Sequence, residues 1–60
     1  MRDQSWTCDC GTKLMVRWPS HAHLITQTFT CPDCQKGREY WVGHPHEFYR
    51  LDETGNWQLV

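Results

Sequence analysis

No apolar run in this chain approaches the roughly 20 residues that a membrane-spanning helix needs, and no window repeats apolar residues at helical spacing between recognisable caps. The opening Met1-Arg2-Asp3-Gln4-Ser5 carries charge and leads into no apolar stretch, so no signal peptide is expected. The chain is therefore expected to stay in a reducing cytoplasm, where thiols persist. Internal repeats, low-complexity tracts and linkers are also missing, and 60 residues leave room for one domain only. There is little net charge: the formal value of -1 argues against a generic polyanion binder. An enzymatic constellation is absent as well. The carboxylates are scattered through turns, and Ser5 and Ser20 have no recognisable base nearby.

The charge that exists is unevenly placed. From Cys8 to Arg38, Lys13, Arg17, Lys36 and Arg38 outnumber Asp9 and Asp33. After that, Glu39, Glu47, Asp52 and Glu53 outnumber Arg50, so a mildly basic front precedes an acidic tail.

Where periodicity occurs, it has the period of a strand. Thr12 to Trp18 places Leu14, Val16 and Trp18 on one face and Lys13, Met15 and Arg17 on the other. Pro19-Ser20 ends that run. Leu24 to Thr30 is rich in β-branched residues and reads as a returning strand, with Ile25 and Phe29 on the face of Cys31 and Thr26, Thr28 and Thr30 opposite. Arg38 to Val42 is a third strand, and His44-Pro45-His46 breaks it. Phe48 to Leu51 and Trp57 to Val60 flank Asp52-Glu53-Thr54-Gly55-Asn56, where Asp first and Gly fourth suit a type I turn closing a bulged hairpin. The expected fold class is small, metal-stabilised and all-β: a ribbon core over 5–43 with a C-terminal β-hairpin over 47–60, and little or no helix.

The strongest motif is Cys8-Asp9-Cys10-Gly11 paired with Cys31-Pro32-Asp33-Cys34. Zinc takes four thiolates tetrahedrally at ~2.3 Å, and two short cysteine turns brought together supply them. Gly11 relieves strain after the first turn and Pro32 fixes φ within the second. The twenty residues from Gly11 to Thr30 suffice for a strand, a loop and a returning strand, so a hairpin is expected between the pairs. Cys8, Cys10, Cys31 and Cys34 are the expected metal ligands, with two disulfides as the alternative. The Cys-x-Cys pair is one residue shorter than the usual knuckle. It leaves open that His21, His23, His44 or His46 replaces Cys8 or Cys10. Net stability at this size is on the order of 3–9 kcal/mol. Structural zinc contributes an apparent ~10–16 kcal/mol, so folding is expected to depend on metal.

On Cys8, Cys10-Gly11 and Cys31-Pro32-Asp33-Cys34, over about residues 6 to 43, the chain resembles the zinc-ribbon family. That resemblance implies a binding module of the transcription or translation machinery, contacting protein or nucleic acid. Its size and Cys-Pro-x-Cys turn are also similar to the phage-encoded Com-type zinc-ribbon proteins, which bind messenger RNA. Small size and idiosyncratic composition suit a phage or mobile-element product.

Eight large aromatic rings are many for so small a core. Trp18, Phe29 and Val42 are expected inside, and at least one of Trp6, Trp18, Trp41 and Trp57 is expected outside, near Arg17, Arg38 or Lys36. Trp41, Arg38, Tyr40, Lys36, Arg17 and Lys13 are accordingly the expected partner-binding residues. A surplus of Trp with near-neutral charge favours a protein partner and a regulatory role. Single-stranded RNA or DNA is the alternative, through stacking and phosphate contacts. A rubredoxin-like iron electron carrier is a third reading, since a tetrathiolate site also holds iron. Gln35, where glycine would follow the second pair, counts against iron.

Overall fold

The structure, a computed structural model, describes all 60 residues and is built from six strands and no helix. In chain order they are β1 (Arg2–Thr7), β2 (Lys13–Trp18), β3 (His23–Thr30), β4 (Gly37–His44), β5 (Glu47–Leu51) and β6 (Trp57–Leu59). Every pairing is antiparallel. Four strands form one sheet in the order β1-β2-β5-β6, and β3-β4 form a two-stranded sheet above it.

The alternation in β2 determines how the sheets meet. Leu14, Val16 and Trp18 face inward and are buried. Val16 and Trp18 meet Phe29 of β3 and Val42 of β4, so the two sheets share one core. The expectation that Trp18, Phe29 and Val42 lie inside is met. Met15 lies on the opposite face with Lys13 and Arg17, as the period requires, yet it is also buried. Its cross-strand neighbours Ser5 and Tyr49 flank it on both sides. A central strand of a four-stranded sheet gains cover that the pattern of one strand does not reveal.

Trp6 of β1 joins this interior. Its indole lies 4.6 Å from the Tyr40 ring, 5.8 Å from Phe29 and 6.0 Å from Phe48, centroid to centroid. Phe29 and Phe48 are 5.0 Å apart. These rings form the layer beneath the cysteines and connect three of the β-hairpin units through contacts in the favoured 4.5–7 Å range. Trp6 is one of the four indoles of which at least one is expected outside, and here it packs inside.

The predicted hairpin between the cysteine pairs does not form. β2 pairs with β1 and β5, and β3 pairs with β4. The reason is local: the second cysteine turn closes β3 directly onto β4, with Cys31 N–H donating to Lys36 O at 2.9 Å. β2 is then free to pair with β1, which the first cysteine turn delivers, and with β5. The C-terminal hairpin does form, with Leu51 opposite Trp57 and Tyr49 opposite Leu59. It is continuous with the ribbon, because β5 is bonded along β2 from Leu14–Arg50 to Arg17–Glu47.

Its turn has the expected form. Gly55 N–H donates to Asp52 O at 3.2 Å, and Gly55 sits at φ 86°. The Asp52 carboxylate accepts from Thr54 N–H, Thr54 Oγ1–H and Asn56 N–H. Those bonds, the Thr54 hydroxyl foremost, hold its carboxyl down to about 2. β4 ends at His44, and a cis His44–Pro45 bond leads into β5.

Candidate metal centre

The four cysteines converge where the first turn, after β1, meets the second turn, between β3 and β4. Their Sγ atoms all lie within 4.8 Å of one another. Cys8 and Cys34 approach to 3.1 Å, and Cys10 and Cys31 to 3.7 Å. Four thiolates around zinc at 2.3 Å would be about 3.8 Å apart along each tetrahedral edge. The two closest pairs lie somewhat inside that value and no pair exceeds 4.8 Å, so the donor set and its size fit one tetrahedrally bound ion.

Each turn explains how its sulfurs are aimed. In the first, Gly11 N–H donates to Cys8 O at 2.8 Å and Cys8 N–H donates to Thr12 O at 2.8 Å. Gly11 adopts φ 93°, a conformation that side chains resist. This turn lets a Cys-x-Cys pair present both sulfurs despite its short spacing. In the second, Gln35 N–H donates to Cys31 O at 2.8 Å, and Gln35 itself takes φ 62°. A glycine would hold that conformation with less strain.

None of the histidines enters the site. His23 stands opposite His44 at the far end of the β3-β4 sheet, and Thr30 beside Cys31 is seven positions away. At ~3.3 Å per residue that is about 23 Å. His46 lies near the same end, its Nδ1 3.1 Å from Gly43 O and its ring edge-on to Phe29. The cluster of four candidate ligands holds all four cysteines and no histidine.

Burial within the site is graded. Cys8 and Cys31 are buried against Leu14, Cys34 is half-buried and Cys10 is exposed. Among the thiols themselves, proton affinity is uneven. The Cys10 thiol is lowered to about 6, by the Thr12 hydroxyl and next by the Thr12 backbone amide. The Cys34 thiol is pushed up to about 12, chiefly by its hydrogen bond with Cys8. Thr12 Oγ1 accepts from the Cys10 thiol at 3.3 Å and donates to Asp33 Oδ2 at 2.5 Å, so one hydroxyl links the two cysteine turns.

Outside the sulfurs, the two turns are joined by a reciprocal pair of contacts. Asp9, between Cys8 and Cys10, meets Lys36 at 3.2 Å and Arg38 at 3.5 Å beyond the second turn. Asp33, between Cys31 and Cys34, accepts from Thr12 beyond the first turn and from Arg50 Nε at 3.1 Å. The Thr12 hydroxyl and Arg50 together hold the Asp33 carboxyl below its usual range. Arg50 lies on β5, so the same carboxylate attaches the C-terminal hairpin to the metal end. These partners are exposed, and each bond on its own is worth little. Sequence reasoning gave none of these four contacts, because they join residues 17 to 29 positions apart.

The six expected partner-binding residues do not share one surface. Trp41 is 67% exposed on the outer face of the β3-β4 sheet. Arg38 and Tyr40 alternate with it and point to the other face, where Tyr40 packs on Trp6. Lys36 and Arg38 are held by Asp9. Arg17 and Lys13 lie on the outer face of the four-stranded sheet. The neighbours that Trp41 does have were missed: Arg2, Gln4, Trp18 and Leu24 line with it an open groove of about 510 Å³. Leu24, 62% exposed, is next to Trp41 across the register, and Arg2 is the nearby cation.

No helix of the structure is long and apolar enough to cross a membrane. No family model, curated protein or solved structure matches the chain.

Proposed function

We propose that this chain is a zinc-binding interaction module in which Cys8, Cys10, Cys31 and Cys34 hold one structural zinc ion as a tetrathiolate. The observation that carries the proposal is the convergence of four sulfurs within 4.8 Å at the junction of the two cysteine turns. Zinc supplies no chemistry beyond cross-linking: four thiolates close the shell and leave no position for an activated water. On this reading the metal is structural and takes no part in catalysis. The scaffold so fixed presents the exposed Trp41 with Leu24 and Arg2 to a protein partner, in the manner of an aromatic anchor with a cationic neighbour. Its likeness to zinc ribbons supports a partner in the transcription or translation machinery and a regulatory role, and its four unpaired cysteines suit a reducing, cytoplasmic setting.

The rival reading is single-stranded nucleic acid stacked on Trp41 with Arg2 on phosphate. A salt titration of binding to mixed-sequence single-stranded RNA separates the two. The protein reading expects no tight complex at any salt, whereas affinity falling steeply with log salt would replace it with the nucleic-acid reading. Metal content decides between zinc and iron, and an oxidised iron site would colour the protein red.

A further inference from the structure

Two sheets leave four strand edges, and three of them are guarded. β1 carries Arg2 and Asp3, β6 is three residues long, and β4 carries Arg38 and Glu39. Short or charged edges resist the addition of further strands. β3 is different. His23-Leu24-Ile25-Thr26-Gln27-Thr28-Phe29-Thr30 is eight residues long and has no Lys, Arg, Asp, Glu, Pro or Gly. It pairs with β4 and with nothing else.

The pairing identifies which backbone groups are left over. The Cys31 N–H to Lys36 O bond marks those two residues as a hydrogen-bonded pair. Antiparallel pairs alternate between bonded and non-bonded. Phe29, Gln27, Ile25 and His23 therefore bond to β4, while Thr30, Thr28, Thr26 and Leu24 direct their N–H and C=O groups away from it. No turn or loop bond reaches those four residues. The one side-chain group near their carbonyls is Gln27 Nε2, 3.4 Å from Thr28 O. Unmet backbone groups on an uncharged, β-branched edge strand form a template for another strand.

We propose that the occupant of this edge is a second copy of the chain, paired β3 to β3 antiparallel about a two-fold axis through Gln27. In that register Thr26 stands opposite the second copy's Thr28 and Leu24 opposite its Thr30. All four outward-facing residues then become bonded pairs, about eight hydrogen bonds in total. On the inner side, Ile25 stands opposite the second copy's Phe29. The strand is self-complementary because it carries no charge to repel its like, and Thr–Thr pairs opposite one another are favourable. The result is a continuous sheet in the order β4-β3-β3-β4. Leu24, which is 62% exposed in the single chain, is then covered by its new neighbour. The inference rests on the backbone edge of β3 and shares Leu24 with the surface proposed around Trp41.

The test is the oligomeric state of the zinc-loaded chain, by light scattering from micromolar to millimolar concentration, with amide exchange read residue by residue. The expected result is a shift toward twice the 7.2 kDa chain mass as concentration rises. With it, the amides of Leu24, Thr26, Thr28 and Thr30 should become protected, while those of Ile25, Gln27 and Phe29 are protected throughout. Thr28→Pro removes an N–H that no residue of its own chain uses and should keep the protein monomeric with unchanged metal content. Thr28→Lys, which puts a charge on the edge without touching the backbone, serves if the proline variant fails to fold. A wild-type chain that stays monomeric at every concentration, with those four amides exchanging freely, would overturn the proposal. So would a dimer that survives in Thr28→Lys, since it would be joined elsewhere.

Discussion

At Thr12 one hydroxyl accepts from Cys10 Sγ at 3.3 Å and donates to Asp33 Oδ2 at 2.5 Å. Contacts that orient ligand side chains commonly account for 10–100-fold in metal affinity. Thr12→Val should therefore weaken zinc by roughly 10-fold in a chelator competition, with little change in the far-ultraviolet spectrum of the loaded protein. An unchanged affinity would show that the Thr12 backbone amide orients Cys10 alone. Tyr49 offers a pH readout remote from the metal. Its hydroxyl donates to Glu47 at 2.6 Å, and that bond, with the carboxylate's charge, raises the phenol above its ordinary 10.0. The bond needs the phenol proton. Its contribution is thus complete below pH 10 and is lost as pH rises through the raised value. Ultraviolet titration should show one tyrosine ionising late, and Tyr49→Phe should remove that late step.

The individual elements show most clearly what the sequence discloses. The alternation of Leu14, Val16 and Trp18 and the Asp52–Gly55 turn were legible because both depend on neighbours within a few residues. The partner of β2 was not. Chain order offered β3, but the closure of β3 onto β4 at Cys31–Lys36 removed that choice, and only the folded structure shows it. The four ligands were legible from spacing, whereas the Asp9 and Asp33 contacts that join the turns needed the turns to meet first. Trp6 was opaque for the same reason: its partners Phe29, Tyr40 and Phe48 come from three other strands. Two substitutions test the elements. A Cβ at Gly43 would run into the Trp18 indole and lie 2.8 Å from Ala22 Cβ. Gly43→Ala should then cost about 1–3 kcal/mol by displacing the indole, with a change in tryptophan emission. Gln35, held at φ 62°, should prefer glycine. The relief of about 1–2 kcal/mol for a left-handed residue exceeds the entropic cost of about 0.5–1 kcal/mol. Gln35→Gly should raise the thermal midpoint, and a fall would mean that the Gln35 side chain contributes more than its backbone costs.

For the whole molecule, nine buried residues out of 60 make a thin core. Two of the nine are Cys8 and Cys31. The interior is thus an aromatic layer with the sulfur cluster at one end, and the cluster joins the β1-β2 turn to the β3-β4 turn. Without a cross-link there, the two-stranded sheet would be tied to the four-stranded one by packing and by the exposed Asp9 and Asp33 contacts. Structural zinc in small domains contributes about 10–16 kcal/mol, more than the net stability expected of a chain this size. The most direct measurement is native mass spectrometry of the untagged chain, with circular dichroism before and after a strong chelator. The account predicts one zinc per chain, four cysteines resistant to alkylation until the chelator is added, and loss of the β spectrum once the metal is removed. A chain that carries no metal and two disulfides, or one that keeps its strands after the zinc is stripped, would contradict it.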